Sequence, residues 1–214
     1  MPEPSLVCRH TGKHVPYQIH EGLQPTFVLQ LHKQWESEKI RVLSQLVADV
    51  PTAVTDNNIF IQQLTIYGVT DFHWSWLNKS MVCNTDDYHW FFLSAEGRVQ
   101  AACVIYHPKK SRWDGEKIFY IDYVASAYWN RDRPNYKKQF GGVSRILIAH
   151  ATRFATEKLG YRLGFCLHSL PTAEDYYRHL GLIDYDVDAE KENLRYFEAP
   201  PNIAGKLAEE ASNV

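Results

Sequence analysis

Residues 137–150 read KKQFGGVSRILIAH, with two adjacent glycines just ahead of an apolar run at helical spacing. A helix start presents amide N–H groups that lack internal partners, at the positive end of the helix dipole. Glycines there let an anion approach the backbone closely, so Gly141-Gly142 is a candidate phosphate cradle; a hinge entering a helix is the plainer alternative. The stretch has no Gly-Lys-Ser/Thr ending and no Gly-x-Gly-x-x-Gly, which sets it apart from the familiar nucleotide loops. A second candidate is Asp122, set within IFYIDYV. A carboxylate among such residues must be solvated, paired or functional, because burying it alone is costly. In a regular strand Asp122 and Val124 share one face and Tyr123 takes the other. Glu116 and His168 are further groups able to move a proton nearby. Cys8-x-His10-x3-His14 has metal-ligand residue types but no matching second pair, so no metal is expected.

These residues need elements to hold them. Residues 1–25 read as coil or a short edge strand. TFVLQLHKQWESEKIRVLSQLVA, from Thr26 to Ala48, has apolar residues at near-helical spacing. A second helix is expected from Asp56 or Asn57 to Gly68, and a third from Asp71, a good N-cap residue, through FHWSWLNKSM. The pattern then changes: YHWFFLS and RVQAACVIYHP read as two strands joined by a tight turn, and EKIFYIDYVAS as a third. A basic, proline-containing loop, WNRDRPNYKKQ, leads to the glycine pair and to a helix that stops at Gly160. YRLGFCL (161–167) reads as a strand, Pro171-Thr172 opens a short helix closed by Gly181, and LRYFEA reads as the last strand. The order predicts one α/β (α+β) domain over residues 1–214, in which residues 1–84 are helical, residues 85–198 form the core and residues 199–214 are a polar tail.

The formal net charge of −2 argues against a general nucleic-acid binder. No apolar run approaches the roughly 20 residues of a membrane helix, and the N-terminus lacks the apolar segment of a signal peptide, so neither membrane insertion nor secretion is expected. Cys8, Cys83, Cys103 and Cys166 are scattered without paired spacing, which suits a reducing compartment, so a cytoplasmic location is expected. The aromatic content of 14% fits either a ring-rich core or an aromatic acceptor pocket.

The hairpin FFLSAEGRVQAACVIY, the strand IFYIDYVAS, Gln139-x-x-Gly142-x-Ser144 and Ala173-x-x-x-Tyr177-x-x-x-Gly181-Leu182 together resemble the GNAT superfamily of acyl-CoA-dependent N-acyltransferases. The resemblance covers roughly residues 86–198. It departs from the family pattern at Ser144 and Leu182, which replace a small residue and a phenylalanine, and at Leu170, where an asparagine is common. The connection from Val124 to Gln139 is also longer than usual. The resemblance implies a GNAT-like fold: a central mixed, mostly antiparallel sheet flanked by helices. It implies acetyl-CoA as cosubstrate, its pyrophosphate resting on the backbone of Phe140, Gly141, Gly142, Val143, Ser144 and Arg145, with Gln139 shaping the loop. The pantetheine arm would pair with Val124, Ala125 and Ser126. Tyr177 would protonate the departing thiolate, with Tyr176 pointing elsewhere, and Asp122 would be the general base or bind the acceptor amine.

Arg131, Arg133, Lys137 and Lys138 could reach the CoA phosphates or an acidic acceptor, or form a solvated charged loop. The N-terminal third, with His73, Trp74 and Trp76, is expected on the acceptor side. The implied activity is transfer of an acetyl group to a primary amine of a small molecule or protein, in a chain that could form a homodimer. The alternatives are a module that binds acyl-CoA without turning it over, and an RNA- or protein-directed acyltransferase using the basic loop.

Overall fold

The computed structural model describes residues 3–210. The chain begins with strands β1 (Ser5–Val7) and β2 (His14–Glu21), which pair antiparallel. β1 is the expected short edge strand, but β2 goes beyond that expectation as an eight-residue strand paired with the first core strand. Helices α1 (Pro25–Gln30) and α2 (Glu36–Asp49) follow, joined by a π-helical turn at Leu31–Trp35. A 3-10 turn at Pro51–Val54 precedes α3 (Asn57–Ile66), capped by Asp56, whose carboxylate accepts from the Asn58 and Ile59 amides at 2.8 and 3.2 Å. Helix α4 (Trp76–Val82) starts later than its sequence suggests. Its N-cap is Ser75, which accepts from the Asn78 amide at 3.2 Å, while Asp71 is held by an arginine instead.

The core strands are β3 (Tyr88–Ala95), β4 (Arg98–Lys110) and β5 (Lys117–Ser126). Glu96 and Gly97, with φ of 51° and 69°, make the two-residue turn between β3 and β4, the left-handed geometry that matches strand twist. After a 3-10 turn at Tyr128–Asn130 comes the central helix α5 (Val143–Glu157), then β6 (Phe165–Ser169). Helix α6 (Glu174–His179) and strands β7 (Ile183–Asp188) and β8 (Leu194–Ala199) follow. Residues expected as a polar tail form helix α7 (Pro201–Glu210), which buries Ala204, Leu207 and Ala208 against the α5 side of the core; residues 211–214 of that expected tail lie outside the described residues.

The eight strands form one sheet in the order β1-β2-β3-β4-β5-β6-β8-β7. Every pairing is antiparallel except β5 with β6, the two strands that α5 connects. Both faces are covered, which explains the nearly unbroken apolar runs of β3 and β4. Phe91, Leu93, Cys103 and Ile105 face α5 and α7. Trp90, Phe92, Ala102 and Val104 face the N-terminal helices, where Trp35 and Trp76 meet edge to face at 5.6 Å. The two faces thus receive different layers, α5 and α7 on one and the N-terminal helices on the other.

Candidate active site

Helix α5 begins at Gly142, whose φ of 73° lies in the left-handed region that side chains disfavour. An ideal Cβ built there meets nothing within 4 Å, so the strand-to-helix corner opens outward. The first intrahelical bond runs from the Ile146 amide to the Gly142 carbonyl at 3.1 Å. The amides of Val143, Ser144 and Arg145 therefore precede the helical ladder, as first-turn amides must. The loop is fixed from several sides. Gln139 donates to Glu96 at 2.6 Å and accepts from Arg98 at 2.8 Å, and its carbonyl accepts from the Arg9 amide at 2.8 Å. The Phe140 amide is already donated to Asn130 Oδ1 at 3.0 Å, and its ring is fully buried. That removes Phe140 from the set of amides open to an anion. Arg9, with no signal in the sequence, lies over Gly141: a Cβ there would stand 2.7 Å from its Nη2. A 2.6 Å contact between the Ser126 and Ser144 hydroxyls ties the end of β5 to the first turn of α5.

Strand β5 carries the rest. Its parallel pairing with β6 runs from Phe119↔Phe165 to Ile121↔Leu167 and stops there. Residues 123–126 go on pairing with β4 alone, so their other edge faces a gap. At the same point β5 bulges: Ile121 pairs with Ile105 and Tyr123 with the adjacent Val104, which leaves Asp122 as an extra residue. The regular alternation expected for this strand is therefore wrong. Val124 returns to the α5 face beside Ile121, while Tyr123 packs among the N-terminal helices. Asp122 is set between them, at the mouth of a cleft of about 630 Å³.

Tyr177 on α6 lines that cleft and is only 7% exposed, whereas Tyr176 is 44% exposed. Burial holds the Tyr177 phenol above its ordinary range. Among the described residues no hydrogen bond is formed by its hydroxyl, which leaves a proton donor without a protein partner on a ring that lines the cleft. Across the gap, burial also raises the Asp122 carboxyl, with Lys191 and Lys79 opposing. Its hydrogen-bond partner is the Cys83 thiol, 3.8 Å away, itself pushed up to about 11 by burial. Lys79 sits over the Tyr123 ring at 3.2 Å, and burial lowers its ammonium to about 8.

His168 contacts the Tyr120 hydroxyl through Nδ1 at 2.9 Å and Asp188 through Nε2 at 3.2 Å. Burial lowers its pKa despite Asp188, which fits a neutral ring accepting from Tyr120 and donating to Asp188. With both nitrogens engaged, His168 has no free lone pair for an incoming amine; Asp122 does. Glu116 lies in the turn before β5, outside the cleft lining.

Two expectations about the surroundings change. Arg131 is no phosphate ligand: it forks onto Asp71 at 2.5 and 2.9 Å and also holds the Ser126 and Gly68 carbonyls. Arg133 pairs with Glu38 at 3.0 Å, and Lys138 with Asp132 at 2.6 Å. Arg131 and Arg133 tie this loop to the turn at Asp71 and to α2, while Lys138 pairs within the loop itself. Of the three residues expected on an acceptor side, His73 and Trp74 line the cleft, joined by Ser75, Asn78 and Lys79, but Trp76 is buried in the core. Among the described residues no group of three or more His, Cys, Asp or Glu is arranged to hold a metal ion, and no helix is long and apolar enough to cross a membrane.

No protein-family profile matches the chain, and no curated protein matches it by sequence. Solved structures do. FeeM, an N-acyl amino acid synthase from uncultured soil microbes, superposes with a TM-score of 0.51 at 10% identity, over 94% of this chain and 98% of that one. An acyl-CoA N-acyltransferase from Pseudomonas aeruginosa gives 0.49 at 14% identity, over 87% and 99%. A Desulfovibrio desulfuricans protein assigned to the GNAT family gives 0.45 at 12% identity, over 86% and 99%. The likeness is one of fold: this chain has the GNAT-like architecture, a mostly antiparallel sheet with one parallel pair, flanked by helices.

Proposed function

We propose that this protein transfers an acyl group, with acetyl as the leading case, from acyl-CoA to a primary amine. The observation that carries the reading is the parting of β5 from β6 after Ile121, beside a cleft that Tyr177 lines and a helix entered through glycine. A strand edge without a partner is a template for an extended amide-bearing chain, and the pantetheine arm is such a chain. The arm would lie along Val124, Ala125 and Ser126. The pyrophosphate would rest on the amides of Gly142, Val143, Ser144 and Arg145, with Arg9 at the rim, Gly141 allowing close approach and Gln139 holding the loop.

The chemistry follows from the order of groups along β5. The acceptor amine binds at Asp122, which takes a proton from it. The amine nitrogen attacks the thioester carbonyl carbon, and a backbone N–H near Val124 or Ala125 stabilises the developing oxyanion. The adduct collapses with cleavage of the C–S bond, and Tyr177 gives its proton to the leaving thiolate. The phenol's raised pKa keeps it protonated until a basic sulfur forms beside it. The products are an amide and the free CoA thiol.

The test pairs two measurements, melting with acetyl-CoA and release of CoA thiol in the presence of amines. Stabilisation together with amine-dependent thiol release supports the reading. Stabilisation without turnover across a broad set of amine and protein acceptors favours an acyl-CoA-binding module. A protein that acetyl-CoA leaves unstabilised overturns both.

A further inference from the structure

Beyond Asp122 the cleft continues into a second lobe of about 300 Å³, which shares Tyr120, Asp122, His168 and Lys191 with the first. Its floor is a row of tyrosines set by strand register. Tyr88 pairs with Tyr106, and Tyr106 with Tyr120, so the three rings stand on one face of β3, β4 and β5. The rings of Tyr88 and Tyr106 lie 5.3 Å apart. Lys109 and Lys191 stand at its walls, and neither forms an ion pair among the described residues. The neighbouring Arg112, by contrast, is neutralised by Asp188. Among the described residues Asp122 is the one carboxylate lining this lobe; Glu190 and Glu192 line the main cleft, on the turn that also carries Lys191. The lobe therefore offers two lysines without an ion-pair partner among the described residues, one of them within the field of Asp122, and three phenols, on the side of Asp122 away from Ser126 and the start of α5.

We propose that this lobe is an acceptor subsite for the negative group of a small amine, with the amine at Asp122 and a carboxylate or phosphate between Lys109 and Lys191. The proposal rests on the acyltransferase reading and names its substrate class, the amino acids and related amino-anions. Three phenol rings and an aqueous mouth suit an acceptor with a modest side chain, and the lysines supply the charge that a neutral amine would leave unused.

Matched amines test it. Phenylalanine against phenethylamine isolates a carboxylate, and O-phosphoethanolamine against ethanolamine isolates a phosphate. Thiol release is read for the wild type, Lys109→Ala and Lys191→Ala, with acetyl-CoA melting alongside. The expected result is at least about a tenfold advantage in kcat/KM for one anionic member over its neutral partner. Either lysine substitution should collapse that ratio toward one, and the pair that shows the advantage identifies the anion. Equal rates for both partners, or a ratio that survives both substitutions, overturns the subsite and leaves the acyltransferase standing. Failure of every amine in a protein that acetyl-CoA still stabilises overturns the subsite as well, and extended to a broad set of acceptors it favours the acyl-CoA-binding module over the acyltransferase. Loss of that stabilisation overturns the parent reading and the subsite with it.

Discussion

Gly142→Glu is the perturbation that most directly probes the cradle, and its magnitude follows from two local facts. The residue has a φ of 73°, and a Cβ there meets no protein atom within 4 Å. The backbone cost of a left-handed non-glycine residue is about 1–2 kcal/mol. In a chain of this size each kcal/mol moves the melting temperature by about 2–4 °C, so the unliganded variant should melt about 2–8 °C low. Because the added side chain meets nothing in the protein, any larger effect must come from what it displaces or repels. Acetyl-CoA at about 100 times its dissociation constant stabilises by about 2.7 kcal/mol, or about 5–11 °C. Wild-type protein should show that rise in a melting assay, and Gly142→Glu should show none, since bulk and negative charge would occupy the phosphate position. Gly142→Asn serves as the control for strain, because asparagine visits the left-handed region more readily; it should melt nearer the wild type with a reduced rise. A full acetyl-CoA shift in Gly142→Glu would show that the open corner is a hinge and that the anion site lies elsewhere.

Tyr177→Phe removes a hydroxyl with no internal partner, so melting and the acetyl-CoA shift should be retained while single-turnover acyl transfer slows by about 10²-fold or more; Tyr176→Phe, altering an exposed ring, should transfer at the wild-type rate. Asp122→Asn should lower kcat/KM by about 10²–10⁴-fold with acetyl-CoA binding intact. Because burial raises this carboxyl, the acid limb of the wild-type rate profile should lie at higher pH than for a free carboxylate, activity rising as Asp122 ionises. The same shift has a stability sign: the folded state holds the proton to higher pH than the unfolded chain, so Asp122 costs stability as pH climbs from the unfolded to the folded pKa. Melting of Asp122→Asn relative to wild type should accordingly improve across that interval and stay level above it. Asp71→Asn strands the Arg131 guanidinium, which is only 15% exposed, and should cost about 3–5 kcal/mol, lowering melting by about 6–20 °C. If Arg131 is a clamp, the acetyl-CoA shift survives in that variant below its melting point; loss of the shift in a folded Asp71→Asn protein would return Arg131 to the ligand.

What could be read from the sequence was what neighbouring residues decide among themselves. The Glu96-Gly97 turn, the Asp56 cap and the apolar face of α5 rest on contacts a few residues apart, and their residue types announce them. The glycine entry to α5 and the short helix that carries Tyr177 were legible for the same reason. Arg9 was not, because only the pairing of β1 and β2 at the sheet edge carries it to the cradle loop, some 130 positions along the chain. His14-to-Glu21 looked irregular because Pro16 and polar residues break the apolar pattern of an outer strand whose partner lies far off in sequence. Asp71 was misassigned on type alone: a carboxylate ahead of an apolar stretch suits an N-cap, but Arg131 outcompetes the backbone for it. Strand β7, which has no buried residue, and helix α7, which buries Ala204, Leu207 and Ala208, escaped because they depend on β8 and α5 for their positions.

The site's geometry depends on a feature no residue type reveals, the extra residue at Asp122. A bulge sharpens the twist of the strand that carries it. Here the bulge falls where the parallel pairing of β5 with β6 ends, at Ile121. A strand that turns away from its parallel neighbour leaves its outer edge unpaired, which supplies backbone groups for an extended ligand. The one-residue slip also sends Val124 to the α5 face and frees Asp122 from both cores, so one irregularity accounts for the open edge and for the carboxylate beside it. Tyr120, before the bulge, faces the tyrosine lobe, and Ser126, after it, reaches Ser144 at the helix start. The slip thus changes which residues of β5 face α5, from Phe119 and Ile121 before the bulge to Val124 after it. In a regular β5 Tyr120 and Ser126, six positions apart, would share one face; the extra residue between them puts them on opposite faces.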